Sequence, residues 1–149
     1  MITYTIAMPE PHTHLYHVEV VVDAVSAPCL NLVLPAWTPG SYMIREFARH
    51  IQEFTAHGPD GTELPWRKTA KDTWQIDANR VPDVVVRYKV YANELTVRTS
   101  HLDSRHGYFN PANVCMYVPD RTNEQLAVTV VVPEGWRVNT ALEAGVGGR

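Results

Sequence analysis

Three potential metal ligands, His101, Asp103 and His106, fall within six residues of one another in the segment His101-Leu-Asp-Ser-Arg-His-Gly-Tyr-Phe-Asn-Pro-Ala-Asn113. Two imidazoles and a carboxylate are donors that a divalent transition metal accepts, and they are also groups that tie a loop to itself by hydrogen bonds. The second reading is favoured, because no general base or nucleophile of defined geometry accompanies the three. His12 and His14 form another pair; on a strand they would face one side, yet no third ligand is evident nearby. The His-Glu-x-x-His string of helix-borne zinc hydrolases is missing, and the nearest match, His14-Leu-Tyr-His17, lacks the glutamate. No G-x-S-x-G elbow, Walker loop or dinucleotide fingerprint occurs either. The chain is therefore assigned no catalytic residue and no metal ligand.

The elements that must position these groups read mostly as strands. Ile2, Tyr4 and Ile6 alternate with polar or small residues, which predicts a strand over 2–8. Val18, Val20 and Val22 predict a second over 14–23, and Leu30, Leu32 and Leu34 a shorter third. Val84, Val86, Tyr88, Val90 and Ala92 give the clearest alternation, a central strand over 83–92. Trp74 and Ile76 mark a short strand; 94–98 extends the pairing after 83–92; 114–118 and 125–132 complete the set. His57-Gly-Pro-Asp-Gly-Thr-Glu-Leu64 reads as a hairpin connection and Pro133-Glu-Gly-Trp136 as a turn carrying an aromatic plug. About eight strands with frequent turns and no long amphipathic helix predict an all-β fold, an antiparallel β-sandwich or curved two-sheet domain with at most a short helical turn.

Residues 34–50 hold the densest cluster of stiff and bulky side chains. Pro35 and Pro39 fix their own φ and push the preceding residues toward extended geometry, and Gly40 can take the positive φ that a turn after proline demands. Trp37, Tyr42, Met43, Ile44 and Phe47 offer more apolar surface than a solvated loop tolerates. Two readings stand, a buried corner between strands and a corner that also shapes a cleft, with Trp37, Tyr42 and Arg45 as candidate interface residues. A helical turn over 41–46 followed by a strand over 47–57 reconciles the helical spacing of Ile44, Phe47, Ala48, Ile51 and Phe54 with the hairpin downstream.

The length of 149 residues suits one domain with its own core. Basic and acidic residues, 13 and 16, are mixed along the chain, so no basic run exists to neutralise several phosphates and a nucleic-acid partner is not expected. The apolar runs fall far short of the roughly 20 residues of a spanning helix, and no membrane partner is expected. The chain opens directly into strand sequence without a signal-peptide pattern, which predicts a cytoplasmic location. Cys29 and Cys115, far apart and outside any C-x-x-C spacing, read as buried thiols rather than a disulfide.

The strings Leu34-Pro-Ala-Trp-Thr-Pro-Gly-Ser-Tyr-Met-Ile-Arg-Glu-Phe-Ala-Arg-His50, Tyr88-Lys-Val-Tyr91, Glu94-Leu-Thr-Val-Arg-Thr-Ser-His-Leu-Asp103 and His106-Gly-Tyr-Phe-Asn110 occur in this order. Together they resemble the N-terminal domain of the glycyl aminopeptidase family of zinc metallopeptidases, from about residue 2 to about residue 142. The resemblance implies a non-catalytic β-domain over 1–142, then a glycine-rich tail over 143–149. A thermolysin-like catalytic domain, absent from this sequence, would follow and carry the His-Glu-x-x-His string and its zinc. No cofactor is expected in the chain itself. Its partners would be its own downstream catalytic domain and a peptide substrate, whose N-terminal glycine or alanine such enzymes prefer. In that setting Asp103, Tyr108, Asn110 and Asn113 are candidate substrate-binding residues, offering carboxylate and amide acceptors to a substrate ammonium. The competing role for Asn110 and Asn113 is to bond the loop to itself, as turn asparagines commonly do. Two other functional readings stand beside the accessory domain: a free-standing sandwich that shows Trp37, Tyr42 and Tyr108 to a sugar or peptide, and a small hydrolase that uses His101, Asp103 and His106 with bound metal. The chain alone is expected neither to bind zinc tightly nor to cleave aminoacyl substrates.

Overall fold

Period-2 burial builds one face of a twisted sheet and sets its register. The structure, a computed structural model, describes residues 1–35, 47–78, 81–93 and 100–143. Strands β1 (Ile2–Ala7), β2 (Leu15–Val22) and β7 (Val84–Tyr91) each alternate buried and less buried residues along their length. In the antiparallel pairing of β2 with β7, Tyr16 lies opposite Val90, Val18 opposite Tyr88, Val20 opposite Val86 and Val22 opposite Val84. All eight side chains are buried. A one-residue slip of β2 would turn its four to the outer face, at roughly 1.5–3 kcal/mol for each large apolar side chain.

β4 (Ile51–His57) and β10 (Leu126–Val131) close the two edges, giving the order β10-β1-β2-β7-β4. Strand β7 is interior, flanked by β2 and β4. A second sheet, β3-β6-β5, is made from Cys29–Val33, Thr73–Asp77 and Trp66–Ala70. It contributes Leu30, Leu32, Trp74 and Ile76 to the same buried cluster, so the two sheets form a sandwich around one core. Phe54 of β4 stacks on Trp74 at 5.6 Å and meets Trp66 edge-on at 4.8 Å, joining the sheets through aromatic contacts.

Several expectations need correction. The pairing of β1 with β10 is parallel, within an otherwise antiparallel fold. Residues Phe47–His50 form a 3-10 turn, so the strand begins at Ile51. β4 is broken by a bulge between Gln52 and Thr55, where Glu53 takes a φ of 51°; this extra residue sets Ile51 and Phe54 three apart, a step that also fits a helix. β5, which no alternation announces, is exposed along its whole length. Residues 114–118 are not a strand. Pro111–Val114 form a helical turn, α1, and only Tyr117 makes a bridge, to Val33. His12 lies in a 3-10 turn, Pro11–Thr13, and His14 ends it at a φ of 62°, so the two do not share a strand face. Both cysteines are free, but Cys29 is exposed and only Cys115 is largely shielded.

The 57–64 connection does form a turn, with Gly61 at a φ of 85° and Asp60 accepting from the Thr62 N–H at 3.0 Å. It leads the chain from one sheet to the other. The Pro133–Trp136 turn also forms: the Trp136 N–H donates to the Pro133 carbonyl at 3.1 Å, and the indole packs against the core. Residues 36–46, with the predicted helical turn over 41–46 and Trp37, Tyr42 and Arg45, lie outside the described residues, as do 94–98 and the tail from 144. Among the described residues no helix is long and apolar enough to cross a membrane.

The start of β1 and the approach to β10 are tied by charge. Arg121 donates to both carboxylate oxygens of Glu124 and to the Asp23 carboxylate, and the terminal ammonium of Met1 meets Asp23 and Glu124. Arg121, then the ammonium, hold the Glu124 carboxyl down at about 2. A carboxyl depressed in the folded state contributes stability that is complete above its ordinary value of 4.5 and is lost as the pH falls toward about 2. The stability difference between the natural chain and Arg121→Ala, measured by urea unfolding, should therefore shrink as the pH falls through that window. A difference constant across it would rule the network out as a contributor.

Candidate functional site

The chemistry-bearing loop hangs from the end of β7. The Leu102 N–H donates to the Ala92 carbonyl at 2.9 Å, which sets β8 (His101–Leu102) beside the end of β7. β9 (Gly107–Tyr108) then folds back, with His101 opposite Tyr108 and Leu102 opposite Gly107. Two side chains from the start of β2 hold this hairpin. His14 Nδ1–H donates to the Leu102 carbonyl, and the buried Tyr16 hydroxyl donates to the His101 carbonyl at 3.0 Å. Phe109 meets the Tyr16 ring edge-on at 5.4 Å.

Asp103 governs the hairpin turn. Its Oδ1 accepts from the N–H groups of Arg105 at 2.8 Å and His106 at 3.0 Å, while His101 Nε2 lies 3.2 Å from Oδ2. These two backbone N–H groups, and then His101, hold the Asp103 carboxyl well below the usual carboxylate range. His106 Nδ1 lies 3.5 Å from Oδ1. The three residues grouped by their spacing in sequence are thus brought together in space.

The other candidates are placed differently. Tyr108 is 45% exposed on β9. Asn110 caps α1, its Oδ1 accepting from the Ala112 N–H at 3.0 Å, with Pro111 at the first helical position. Its own N–H donates to Ser100 Oγ at 3.3 Å, and the buried Asn113 donates through Nδ2 to the same oxygen at 3.3 Å. At the end of α1 the Tyr88 hydroxyl donates to the Val114 carbonyl and accepts from the Met116 N–H at 3.1 Å, and the Tyr4 hydroxyl donates to the Met116 carbonyl. Burial pushes the Tyr4 hydroxyl and the Cys115 thiol each up to about 12, so neither ionises as a nucleophile near neutral pH. His14, Tyr16, Ser100, Tyr4 and Tyr88 are positioning residues that sequence reasoning missed. Except for Ser100, which bonds within its own loop, their partners are distant in the chain, and no local pattern announces these bonds.

A shallow depression of about 330 Å³ lies on the outer face of the large sheet. Its charged groups are matched within it, Arg87 with Glu19 at 2.8 Å and Lys89 with Glu53. It therefore offers no set of polar groups converging on a ligand. The organised surface is the 100–113 loop, a stiff platform carrying one exposed phenol and one ionised carboxylate.

Comparison with known proteins agrees with this architecture. The model of the peptidase M61 N-terminal domain matches residues 3–148. Among solved structures, the chain is similar to a crystal structure of an aminopeptidase N family protein from Idiomarina loihiensis, with 34% identity and a TM-score of 0.84. The match covers 90% of this chain and 22% of that one, so the chain spans about a fifth of its neighbour's length. No curated protein matches it. Both the strings of residues quoted above and the two-sheet sandwich are accounted for in the same way: the chain belongs to the peptidase M61 N-terminal domain family.

Proposed function

We propose that this chain is the non-catalytic N-terminal domain of a zinc aminopeptidase, supporting and partly walling the active site of a catalytic domain that follows it. The observation that carries the reading is the 22% share of an aminopeptidase-family neighbour that the chain matches, together with the family model over residues 3–148. The zinc of such an enzyme requires a His-Glu-x-x-His string that this sequence lacks, so no step through that metal is assigned to these residues. What the chain contributes is a preformed surface. The loop 101–113 faces the catalytic domain, and Tyr108 with Asp103 helps to receive the amino terminus of the substrate. Asn110 and Asn113 act mainly by holding that surface in shape. Acceptors fixed before binding avoid the cost of ordering a loop around an ammonium group.

The test uses the protein that carries the catalytic domain. Tyr108→Ala should lower kcat/KM at least about tenfold, roughly 1.4 kcal/mol, with the unfolding midpoint unchanged. Asn110→Ser keeps an oxygen for the helix cap and removes the amide, so it separates a contact with substrate from a cap. Unchanged kinetics in both variants would reduce the loop to scaffold. Binding of a peptide or sugar by the present chain alone, lost in Tyr108→Ala, would instead support a free-standing binding module.

A further inference from the structure

We propose that His101, Asp103 and His106 form a binding site for a divalent transition-metal ion of the zinc class, built on the β8–β9 turn. One ligand atom from each residue lies within 4.8 Å of the other two. The closest approaches are 3.2 Å from His101 Nε2 to Asp103 Oδ2 and 3.5 Å from His106 Nδ1 to Asp103 Oδ1. An ion with bonds of about 2.0–2.2 Å to imidazole nitrogen and carboxylate oxygen holds neighbouring tetrahedral ligands roughly 3.3–3.6 Å apart. His101 Nε2 and Asp103 Oδ2 thus stand near ligand spacing without an ion, whereas His106 approaches the other oxygen, Oδ1, and its exposed side chain turns to bring a nitrogen to the ion.

The supporting structure favours this use. Asp103 Oδ1 is fixed by two backbone N–H groups, which leaves Oδ2 turned toward the histidine side. His101 has only 14% of its side chain exposed and sits on a strand whose carbonyls are held by Tyr16 and His14. With Nε2 on the ion, the neutral ring carries its proton on Nδ1, which is buried without a hydrogen-bond partner among the described residues; this cost keeps the site weak. His106 has half its side chain exposed and gives the ion a way in from solvent, with room for water as a fourth ligand. The two imidazole rings lie 5.2 Å apart and are tilted by 30°. Arg105, whose Nη2 is 3.6 Å from Oδ2, is the competing cation; at 82% exposure it can swing into solvent when an ion enters.

Three protein ligands, one of them exposed, suit micromolar rather than tighter binding. A hydrogen-bonded His–Asp–His network without an ion would need similar distances, and a titration separates the two. The 149-residue chain in metal-free buffer should take up one equivalent of Zn²⁺ by calorimetry, and Co²⁺ should develop the visible absorption of a low-symmetry site. His106→Gln, at an exposed position that does not bear on folding, should weaken the affinity at least tenfold, and His101→Gln should do the same. His12→Gln, exposed and remote in sequence, should bind as the natural chain does. Absence of stoichiometric binding, or equal affinity in His106→Gln, would overturn the site. The readout involves no catalytic domain, so its failure leaves the accessory-domain reading untouched; an occupied site leaves Tyr108, without Asp103, to receive the substrate's amino terminus.

Discussion

Tyr88→Phe should lower the unfolding free energy by about 2–4 kcal/mol, although the substitution removes a single oxygen. The Tyr88 ring is 2% exposed at the centre of the core, and its hydroxyl serves two backbone groups of a segment that meets a sheet only at the Tyr117–Val33 bridge. Without that oxygen the Val114 carbonyl and the Met116 N–H stay buried and lose their partner. Each such group costs about 1–3 kcal/mol, more than the 0.5–1.5 kcal/mol net of an ordinary hydrogen bond. Tyr4→Phe removes one bond, to the Met116 carbonyl, and should cost about half as much. Because α1 ends at Val114, loosening this point also frees the C-terminal end of the loop that carries Tyr108 and Asn110. Urea unfolding of both variants gives the comparison. A loss below about 1 kcal/mol in Tyr88→Phe would mean that packing, the Tyr4 bond and the Tyr117–Val33 bridge hold the segment without it.

The same tyrosine shows which parts of the fold can be read from the residues. β1, β2 and β7 are legible because each buries one face, and one-sided burial imposes a period of 2 that survives in the sequence. β5 leaves no such trace because it buries neither face. Val114, Met116 and Val118 are all buried and alternate as a strand would, yet a ladder does not form: Asn110 and Pro111 start a helical turn, and tyrosine hydroxyls bond backbone groups at 114 and 116. Nothing in local periodicity distinguishes those cases, nor does it say that β10 will run parallel to β1. At the candidate site, the closeness of His101, Asp103 and His106 follows from a short turn. That the hairpin is carried by His14 and Tyr16, 88 and 85 residues away from their partners, depends on tertiary structure alone.

Gly107 offers the sharpest test of that long-range support. A Cβ at this position would stand 2.8 Å from the Tyr16 hydroxyl oxygen and 3.0 Å from Leu102 Cδ1. Neither neighbour has space to withdraw, since Tyr16 and Leu102 are both fully buried. Gly107→Ala should therefore cost about 1–3 kcal/mol, as overpacking in a filled core does, by pushing the Tyr16 hydroxyl off the His101 carbonyl. Tyr16→Phe breaks the same bond directly, yet it also deletes the atom that the new methyl would strike. The double variant should be more stable than the sum of the two single losses predicts, by at least about 1 kcal/mol. A second readout follows from the hairpin register, in which Gly107 faces Leu102 and Tyr108 faces His101. Imidazole NMR signals of His101 should shift in Gly107→Ala and move back toward their original positions in the double variant, whereas His12, outside the hairpin, should report no change. Strict additivity with an unmoved His101 would show that the hairpin is shaped by its own turn at Asp103, without the strand beneath it.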